Sequence, residues 1–221
     1  MSHALLPGLS VVVPVYRGEA TLRALAARVE KALAGGALPF ELTFVDDCSP
    51  DGSRDVIQGL AAEKPWIRGL HLMRNYGQHN ATLAGIRAAR YDRIVTMDDD
   101  LQHPPEAIPL LLAKLDEGFD VVYGSPVKEY HGVFRDFSSV ATKTLLKHVL
   151  GVTVAREVAS FRAFRTELRA AFADYHSPAV FIDVLLTWAT TSFASVSVRH
   201  ETGGGTSSYT FSKLLLHAVN M

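Results

Sequence analysis

Short apolar segments rich in β-branched residues alternate with segments of helical periodicity along the first 125 residues, and this alternation constrains the fold more than any other feature of the chain. We predict strands at residues 9–15, 40–45, 67–73, 93–97 and 119–123, with helices at 21–33, after 53, across 82–89 and at 104–115. Strands that are separated by helices form a mainly parallel sheet with helices on both faces. The sequence therefore predicts an α/β protein with a mainly parallel central sheet flanked by helices.

Clusters of polar residues lie at the ends of four of these strands, after Val13, Val45, Met73 and Met97. In parallel sheets of this kind, ligands bind beyond the carboxyl ends of the strands. We therefore expect the functional site to lie along this edge of the sheet.

Length and composition exclude several classes of protein. The 221 residues suit a single domain that spans 1–221, and contents of 48% hydrophobic and 20% charged residues exclude wholesale disorder. A net charge of −1 argues against the strongly basic surface of a general nucleic-acid-binding protein. A single cysteine excludes an intramolecular disulfide and fits a reducing, cytoplasmic compartment. We expect neither a signal peptide nor an apolar run of the ~20 residues needed to cross a bilayer.

The strand–helix alternation changes after residue 138. We predict a helix at 138–150, an extended stretch at 158–164, a helix at 179–190, a strand at 193–199 and a loop at 203–208. The apolar segment at 213–221 is interpreted as the start of a truncated, membrane-proximal helix. An ordinary packed C-terminal helix is the alternative.

Three consecutive carboxylates, Asp98, Asp99 and Asp100, end the fourth predicted strand. Adjacent carboxylates repel one another, so a fold keeps them together where a cation or solvent relieves the repulsion. Oxygen ligands of this kind suit Mg²⁺ or Mn²⁺, which can also bridge substrate phosphates. The alternative is a solvated acidic turn that caps the following helix.

Residues 97–106 read MDDDLQHPPE and are similar to the D-x-D-L-Q-x-P-P-E signature of polyprenyl-phosphate sugar transferases, the dolichol-phosphate mannose synthase-like branch of the family 2 inverting glycosyltransferases. The resemblance implies a Rossmann-like GT-A fold with Mg²⁺ or Mn²⁺ at Asp98, Asp100 and Gln102. It also implies a catalytic role for Asp100 and donor contacts from Asp98 and Asp99. Asp99 stands where a small residue is usual.

Two further segments resemble the nucleotide-binding elements of the same family. Residues 11–19, VVVPVYRGE, are similar to a V-P-V-Y-N-E opening that borders the nucleotide, which implicates Pro14, Tyr16 and Glu19. Residues 44–53, FVDDCSPDGS, are similar to a V-D-D-x-S-x-D-x-S/T segment. That match assigns the contact with the base to Asp46 or Asp47. Taken singly, each segment also fits an ordinary strand-to-helix turn.

Residues 74–82, RNYGQHNAT, form the fourth match, to an R-N-x-G-x-x-x-A stretch. The glycine permits a tight turn, and the amide groups that begin the next helix favour an anionic neighbour. We assign Gln78 to the donor site and interpret His79 as a surface or packing residue. A plain turn is the alternative here too.

The last third of the chain departs further from the family pattern. Ser160 stands where many relatives have an aspartate, so no acidic role is carried over to it. Asp183 lies where other family 2 enzymes place a catalytic base, and it is our candidate for that role. The alternative is a helix residue that pairs with a nearby cation. Arg199, the last residue of the final predicted strand, is assigned to the donor phosphates.

The resemblance implies metal-dependent transfer of a sugar from a nucleoside-diphosphate sugar to a polyprenyl-phosphate carrier at the cytoplasmic face of a membrane, without nucleic acid as a partner. Residues 9–125 would bind the donor, and residues 126–212 would form the acceptor side. Transfer to a saccharide hydroxyl is the first alternative, because Asp183 could supply the base that such an acceptor needs. A nucleotide-sugar-binding module without catalysis is the second.

Overall fold

A computed structural model describes residues 5–36, 38–126 and 159–199 of the chain. Within these residues, one sheet contains β1 (Leu6–Val15), β2 (Phe40–Asp46), β3 (Ile67–His71), β4 (Tyr91–Thr96), β5 (Val121–Pro126), β6 (Arg162–Arg165) and β7 (Phe193–Val198). The strands lie in the order β3-β2-β1-β4-β6-β5-β7. All pairings are parallel except those of β6, which runs antiparallel to both β4 and β5. The predicted mainly parallel sheet is confirmed.

The described helices are α1 (Leu22–Leu33), α2 (Ser53–Glu63), α3 (Gln78–Ala88), α4 (Ile108–Asp116) and α5 (Ile182–Ala189), with 3-10 turns at Pro105–Ala107 and Thr166–Phe172. The predicted helix at 138–150, the loop at 203–208 and the segment at 213–221 lie outside the described residues. In the parts of the chain that can be described, none of the helices combines the length and hydropathy required to span a bilayer.

Helices cover both faces of the sheet, as the sequence predicts. Alternate residues of β1 point to opposite sides, so that Val11 and Val13 pack in one core cluster and Val12 packs in the other. The cluster around Val11 includes apolar residues of α1, α2 and α4, whereas that around Val12 includes residues of α3, α5 and the second 3-10 turn.

Close packing of α3 on the sheet depends on Gly85. A Cβ atom on Gly85 would lie 2.3 Å from Cγ1 of Val12, which no real pair of carbon atoms tolerates. The absence of a side chain lets the helix approach β1 and β2 closely. The first turn of α3, with Gln78 and His79, is thereby held at the carboxyl edge of the sheet.

The short strand β6 connects the two predicted parts of the chain. It comes from the part predicted to form the acceptor side, yet it lies between β4 and β5, with Arg162 opposite both Thr96 and Tyr123. Because β6 is antiparallel, it enters the sheet at the carboxyl ends of its neighbours. Ser160, just before β6, is thus delivered to the edge where the predicted site residues lie.

Candidate active site

Three loops at the carboxyl edge of the sheet contain a non-glycine residue with left-handed backbone angles. These residues are Arg17 (φ 63°), Cys48 (φ 58°) and Leu101 (φ 62°), which follow β1, β2 and β4 respectively. Side chains disfavour this conformation, and it persists where the surroundings enforce it. Its repetition in three loops at one edge identifies this edge as a candidate site.

The β3–α3 loop is fixed by Asp47, which follows β2. The backbone N–H groups of Tyr76 and Gly77 donate to Oδ1 and Oδ2 of Asp47, each at 2.7 Å, and the carboxylate is buried. Asp46, also buried, accepts from the backbone N–H of Ser49 at 2.9 Å. The two carboxylates between which the predicted base contact lies, Asp46 and Asp47, therefore also hold loops of the protein itself.

The β1–α1 loop is tied to the start of α2. The backbone N–H of Gly18 donates to Oγ of Ser53 at 2.9 Å, and the backbone N–H of Gly52 donates to Oε2 of Glu19, also at 2.9 Å. Pro14 is buried at the end of β1, and Tyr16 is exposed beyond it. Of the three donor contacts predicted in this loop, Tyr16 and Glu19 are exposed to solvent, whereas Pro14 is not.

Asp98 is the point at which several elements of the fold meet. Nε2 of Gln78, on α3, donates to Oδ1 of Asp98 at 2.5 Å, and Oγ of Ser160, before β6, donates to Oδ2 at 2.6 Å. The backbone N–H of Asp98 donates to Nδ1 of His103 at 3.1 Å. Since Nδ1 accepts this bond, the 3.9 Å separation between Nδ1 and Oδ2 of Asp98 is no ion pair. Asp98 is thus held in a fixed orientation before any ligand binds.

Asp99 points away from its neighbours, towards the β1 loop. Its Oδ2 atom is buried without a hydrogen-bond partner, and a Cβ atom on Gly18 would lie 2.4 Å from it. Burial, followed by the charges of Asp98 and Asp100, raises the pKa of Asp99 to about 7. Asp100 is exposed, and its Oδ1 accepts the backbone N–H of Gln102 at 3.0 Å. The triplet is therefore three carboxylates in three different environments.

The donor set at this position fits a hard divalent cation. Among the residues that the structure describes, no three His, Cys, Asp or Glu side chains are grouped closely enough to hold a metal by themselves. Mg²⁺ and Mn²⁺ sites that also bind substrate phosphates use one or two protein carboxylates and complete their shell with phosphate oxygens and water. Asp98 and Asp100 provide that number. Their charges add to the effect of burial in raising the pKa of Asp99, and a bound cation would relieve this repulsion.

Asp183, the predicted base, forms an ion pair with a buried arginine. The guanidinium of Arg162 donates to Oδ1 of Asp183, and the hydroxyl of Tyr123 donates to the same oxygen at 3.0 Å. The side chain of Arg162 is only 3% exposed, against 18% for Asp183. Burial and the charge of Asp183 raise the pKa of Tyr123, so this hydroxyl stays protonated. This is the cation pairing that the sequence left as the alternative.

A continuous series of hydrogen bonds connects Asp183 with Asp98. Nε of Arg162 donates to Oγ1 of Thr96 at 3.1 Å, and this hydroxyl donates to the carbonyl of Ser160 at 2.7 Å. The side chain of Ser160 then donates to Asp98. The ion pair therefore supports the segment that orients Asp98.

His79 lies beside this network, and its contact with Phe181 is compatible with the surface or packing role that the sequence suggested. Burial, together with the positive charge of Arg162, lowers its pKa, against the opposing charges of Asp183 and Asp98. Its ring centroid is 5.6 Å from that of Phe181. The position of His79 next to Gln78 could have indicated that it lies near the site, because both residues begin the same helix.

The structure thus shows a direct contact for some predicted site residues and only a position for others. It brings Gln78 to Asp98, and it places Arg199 in an exposed position directly after β7. The sequence reasoning missed Arg162. Its position between Phe161 and Ala163, in a strand-like segment, could have indicated a buried charge. The individual assignments to donor, metal and catalysis stay predictions.

Comparison with known proteins adds independent findings. The family described as Glycosyl transferase family 2 matches residues 10–172. Undecaprenyl-phosphate 4-deoxy-4-formamido-L-arabinose transferase of Shewanella sediminis is 37% identical, over 94% of this chain and 63% of its own length. The protein of the same name from Klebsiella pneumoniae is 34% identical, over 94% of this chain and 64% of its own. The chain therefore spans less than two thirds of these curated relatives.

Solved structures show the same fold at low sequence identity. Glucosyl-3-phosphoglycerate synthase from Mycobacterium tuberculosis, crystallised with Mn²⁺, uridine diphosphate and phosphoglyceric acid, matches with a TM-score of 0.67 and 23% identity, over 94% of this chain and 73% of its own. Mannosyl-3-phosphoglycerate synthase from Rubrobacter xylanophilus matches with a TM-score of 0.69 and 16% identity, over 95% of this chain and 70% of its own. These matches confirm the predicted GT-A fold.

Proposed function

The chain belongs to glycosyl transferase family 2, and from this premise we propose that it transfers a sugar from a nucleoside-diphosphate sugar to a polyprenyl-phosphate carrier, with inversion at the anomeric carbon. The observation that carries the proposal is the fixed position of Asp98, which α3 and the segment before β6 orient from two sides at the carboxyl edge of the sheet. The names of the most similar relatives support the lipid acceptor.

Donor binding is assigned to the loops that follow β1, β2 and β4. A divalent metal held by Asp98 and Asp100, with Gln102 beside them, would offset the negative charge that develops on the leaving diphosphate. Asp47 contributes indirectly, because its bonds to the β3–α3 loop fix the start of α3 and hence the side chain of Gln78. Preorganisation of this kind lowers the cost of reorienting charged groups during the reaction.

The acceptor proposal rests on the pairing of Asp183. A saccharide hydroxyl must lose its proton to a positioned base, whereas a phosphate monoester already carries a nucleophilic oxyanion near neutral pH. Because Oδ1 of Asp183 already accepts hydrogen bonds from a buried guanidinium and a tyrosine hydroxyl, the arrangement fits a structural carboxylate better than a base that is free to meet a substrate hydroxyl. This favours a phosphate acceptor over a saccharide hydroxyl. A polyprenyl phosphate is confined to a bilayer, so the proposed reaction takes place at a membrane surface.

A thermal-shift panel tests the donor site first. Uridine, guanosine and thymidine diphosphates are added with and without Mn²⁺, and we expect one nucleotide to raise the melting temperature only when the metal is present. Asp98→Ala should abolish this response, whereas Asp55→Ala, an exposed change on α2, should leave it intact.

Transfer assays then offer a polyprenyl phosphate and a saccharide side by side, with the sugar nucleotide that the panel selects. Product on the lipid phosphate alone supports the proposal. Product on the saccharide alone would assign the hydroxyl acceptor. If no nucleotide raises the melting temperature and neither acceptor receives a sugar, the proposed function is wrong.

A further inference from the structure

A cavity of about 450 Å³ lies beside α3, between this helix, the β3–α3 loop and residues 175–180. Asn80 helps to form its wall by donating to the carbonyls of Tyr76 and Pro178, at 2.9 and 3.2 Å. Asn80 follows Gln78 by two positions, and helix geometry rotates its side chain by about 200° from that of Gln78. The cavity is therefore separated from Asp98 by the body of the helix.

The charges that line this cavity are positive. They come from Arg74 and Arg87, and the described lining contains no carboxylate, although the whole chain has a net charge of −1. Nη2 of Arg87 donates to the carbonyl of Tyr175 at 2.6 Å, which fixes this guanidinium at the wall. Asp174, the acid beside this wall in the sequence, is exposed outside the described lining. The cavity is thus complementary to an anion.

Exposed apolar side chains, here termed the rim, lie next to residues that line the same cavity. Of eight large hydrophobic side chains exposed in the described residues, four are found here: Met73 (91% exposed), Tyr76 (44%), Phe181 (45%) and Trp188 (56%). Tyr76 lines the cavity, Met73 and Phe181 adjoin lining residues in the sequence, and Trp188 packs edge-on against Tyr175. Exposed aromatic and apolar side chains grouped around a positively charged site are typical of surfaces that meet a bilayer.

We propose that this surface docks the protein on a membrane, with the cavity receiving the phosphate headgroup of an anionic phospholipid and the rim entering the interface. Two arginines supply the charge-assisted hydrogen bonds that a phosphate diester accepts. The four rim side chains supply apolar area for the acyl boundary. The proposal goes beyond the transfer reaction, because it concerns a headgroup that takes no part in the chemistry and a cavity on the Asn80 side of α3.

Sedimentation of the full chain with lipid vesicles tests this docking surface. We expect binding to vesicles of phosphatidylcholine mixed with phosphatidylglycerol to exceed binding to phosphatidylcholine alone. Arg87→Gln should lower the partition coefficient on the anionic vesicles about five-fold, the effect of one basic side chain near such a surface, and Arg87→Lys should retain most of it. Trp188→Ser should weaken binding to both kinds of vesicle, since it removes apolar area from the rim.

Matched controls lie on the opposite face of the sheet. Lys31→Gln on α1 removes one positive charge there, and Leu110→Ser on α4 removes one exposed apolar side chain, so neither should change vesicle binding. Nucleotide-induced thermal shifts on the same variants report on the donor site separately, and they should match the wild type in Arg87→Gln.

Two results would overturn the docking proposal. The first is wild-type vesicle binding by both Arg87→Gln and Trp188→Ser, because the membrane contact would then lie elsewhere on the chain. The second is a thermal shift with inorganic phosphate that Arg87→Gln abolishes, without any preference for anionic vesicles. The cavity would then be a site for a soluble phosphate, not a lipid.

Discussion

Replacing Asp183 separates a structural role from a catalytic one. Arg162 is almost fully buried, and Asp183 is the carboxylate that neutralises it. Removing one partner of a buried ion pair leaves an uncompensated charge and costs about 3–5 kcal/mol. Because Asp183 is partly exposed, we expect the lower end of this range, about 3 kcal/mol, for Asp183→Ala. Asp183→Asn keeps an acceptor for the guanidinium but loses the charge, so about 2 kcal/mol is expected.

Urea unfolding and calorimetry measure these losses. For a chain of this length, 1 kcal/mol corresponds to a change of about 2–4 °C in melting temperature, so Asp183→Ala should melt about 6–12 °C below the wild type. Tyr123→Phe removes a single hydroxyl from the same carboxylate and should cost only about 1 kcal/mol. The double variant Arg162→Met with Asp183→Leu removes both charges, and it should recover most of the stability lost by Asp183→Ala.

Transfer activity provides the opposing test of Asp183. Loss of a general base lowers turnover by about 10²–10⁴-fold. If Asp183 only supports the segment that orients Asp98, Asp183→Asn should retain turnover within about ten-fold of the wild type at a temperature where it is folded. An Asp183→Asn variant with wild-type stability and no turnover would refute the structural interpretation. Asp183 would then be assigned as the catalytic base.

Further predictions concern the carboxyl-edge loops. In the metal-free protein, burial raises the pKa of Asp99 from 3.8 to about 7, so ionisation destabilises the fold progressively as pH rises from about 4 to 7. Asp99→Asn should therefore raise the free energy of unfolding by about 2–4 kcal/mol over the wild type at pH 8, and this gain should vanish near pH 4. Denaturant titrations at both pH values measure it, and an equal gain at pH 4 and pH 8 would contradict the argument. Asp47→Asn turns an amide group towards backbone donors and should cost about 2–3 kcal/mol while weakening nucleotide binding, as unfolding and calorimetric titration can measure. Gly18→Ala places a Cβ atom against Asp99 and should lower the melting temperature, whereas Gly35→Ala, whose Cβ atom meets nothing within 4 Å, should not; equal effects would contradict the packing argument.

Local signals in the sequence were sufficient for the strands and for most of the edge that carries the site. The apolar strand segments and the polar residues that follow them depend on neighbouring positions, and they predicted β1, β2, β4 and their loops to within a few residues. Helix α5 begins at Ile182, later than the predicted 179, because Phe181 is extended. Such boundaries depend on tertiary packing as well as on propensity.

Contacts between distant segments were not predictable in the same way. The DDD triplet indicated a cation, but only the fold shows Asp98 held by Gln78 and Ser160 while Asp99 turns towards the β1 loop. The pairing of Asp183 with Arg162 joins residues on α5 and β6, and nothing in the local pattern of either segment specifies its partner.

The insertion of β6 between β4 and β5 has a consequence for biosynthesis. In the β4–β6 pairing, Arg93 lies opposite Arg165. One edge of β4 therefore stays unpaired until residues much later in the sequence have been synthesised. A sheet formed by the first four strands alone, in the order β3-β2-β1-β4, would end at β4 with unpaired backbone groups. Long-range pairing of this kind slows folding, and open strand edges recruit other nascent chains. We expect aggregation during synthesis to begin at β4 and to depend on how quickly translation delivers β6.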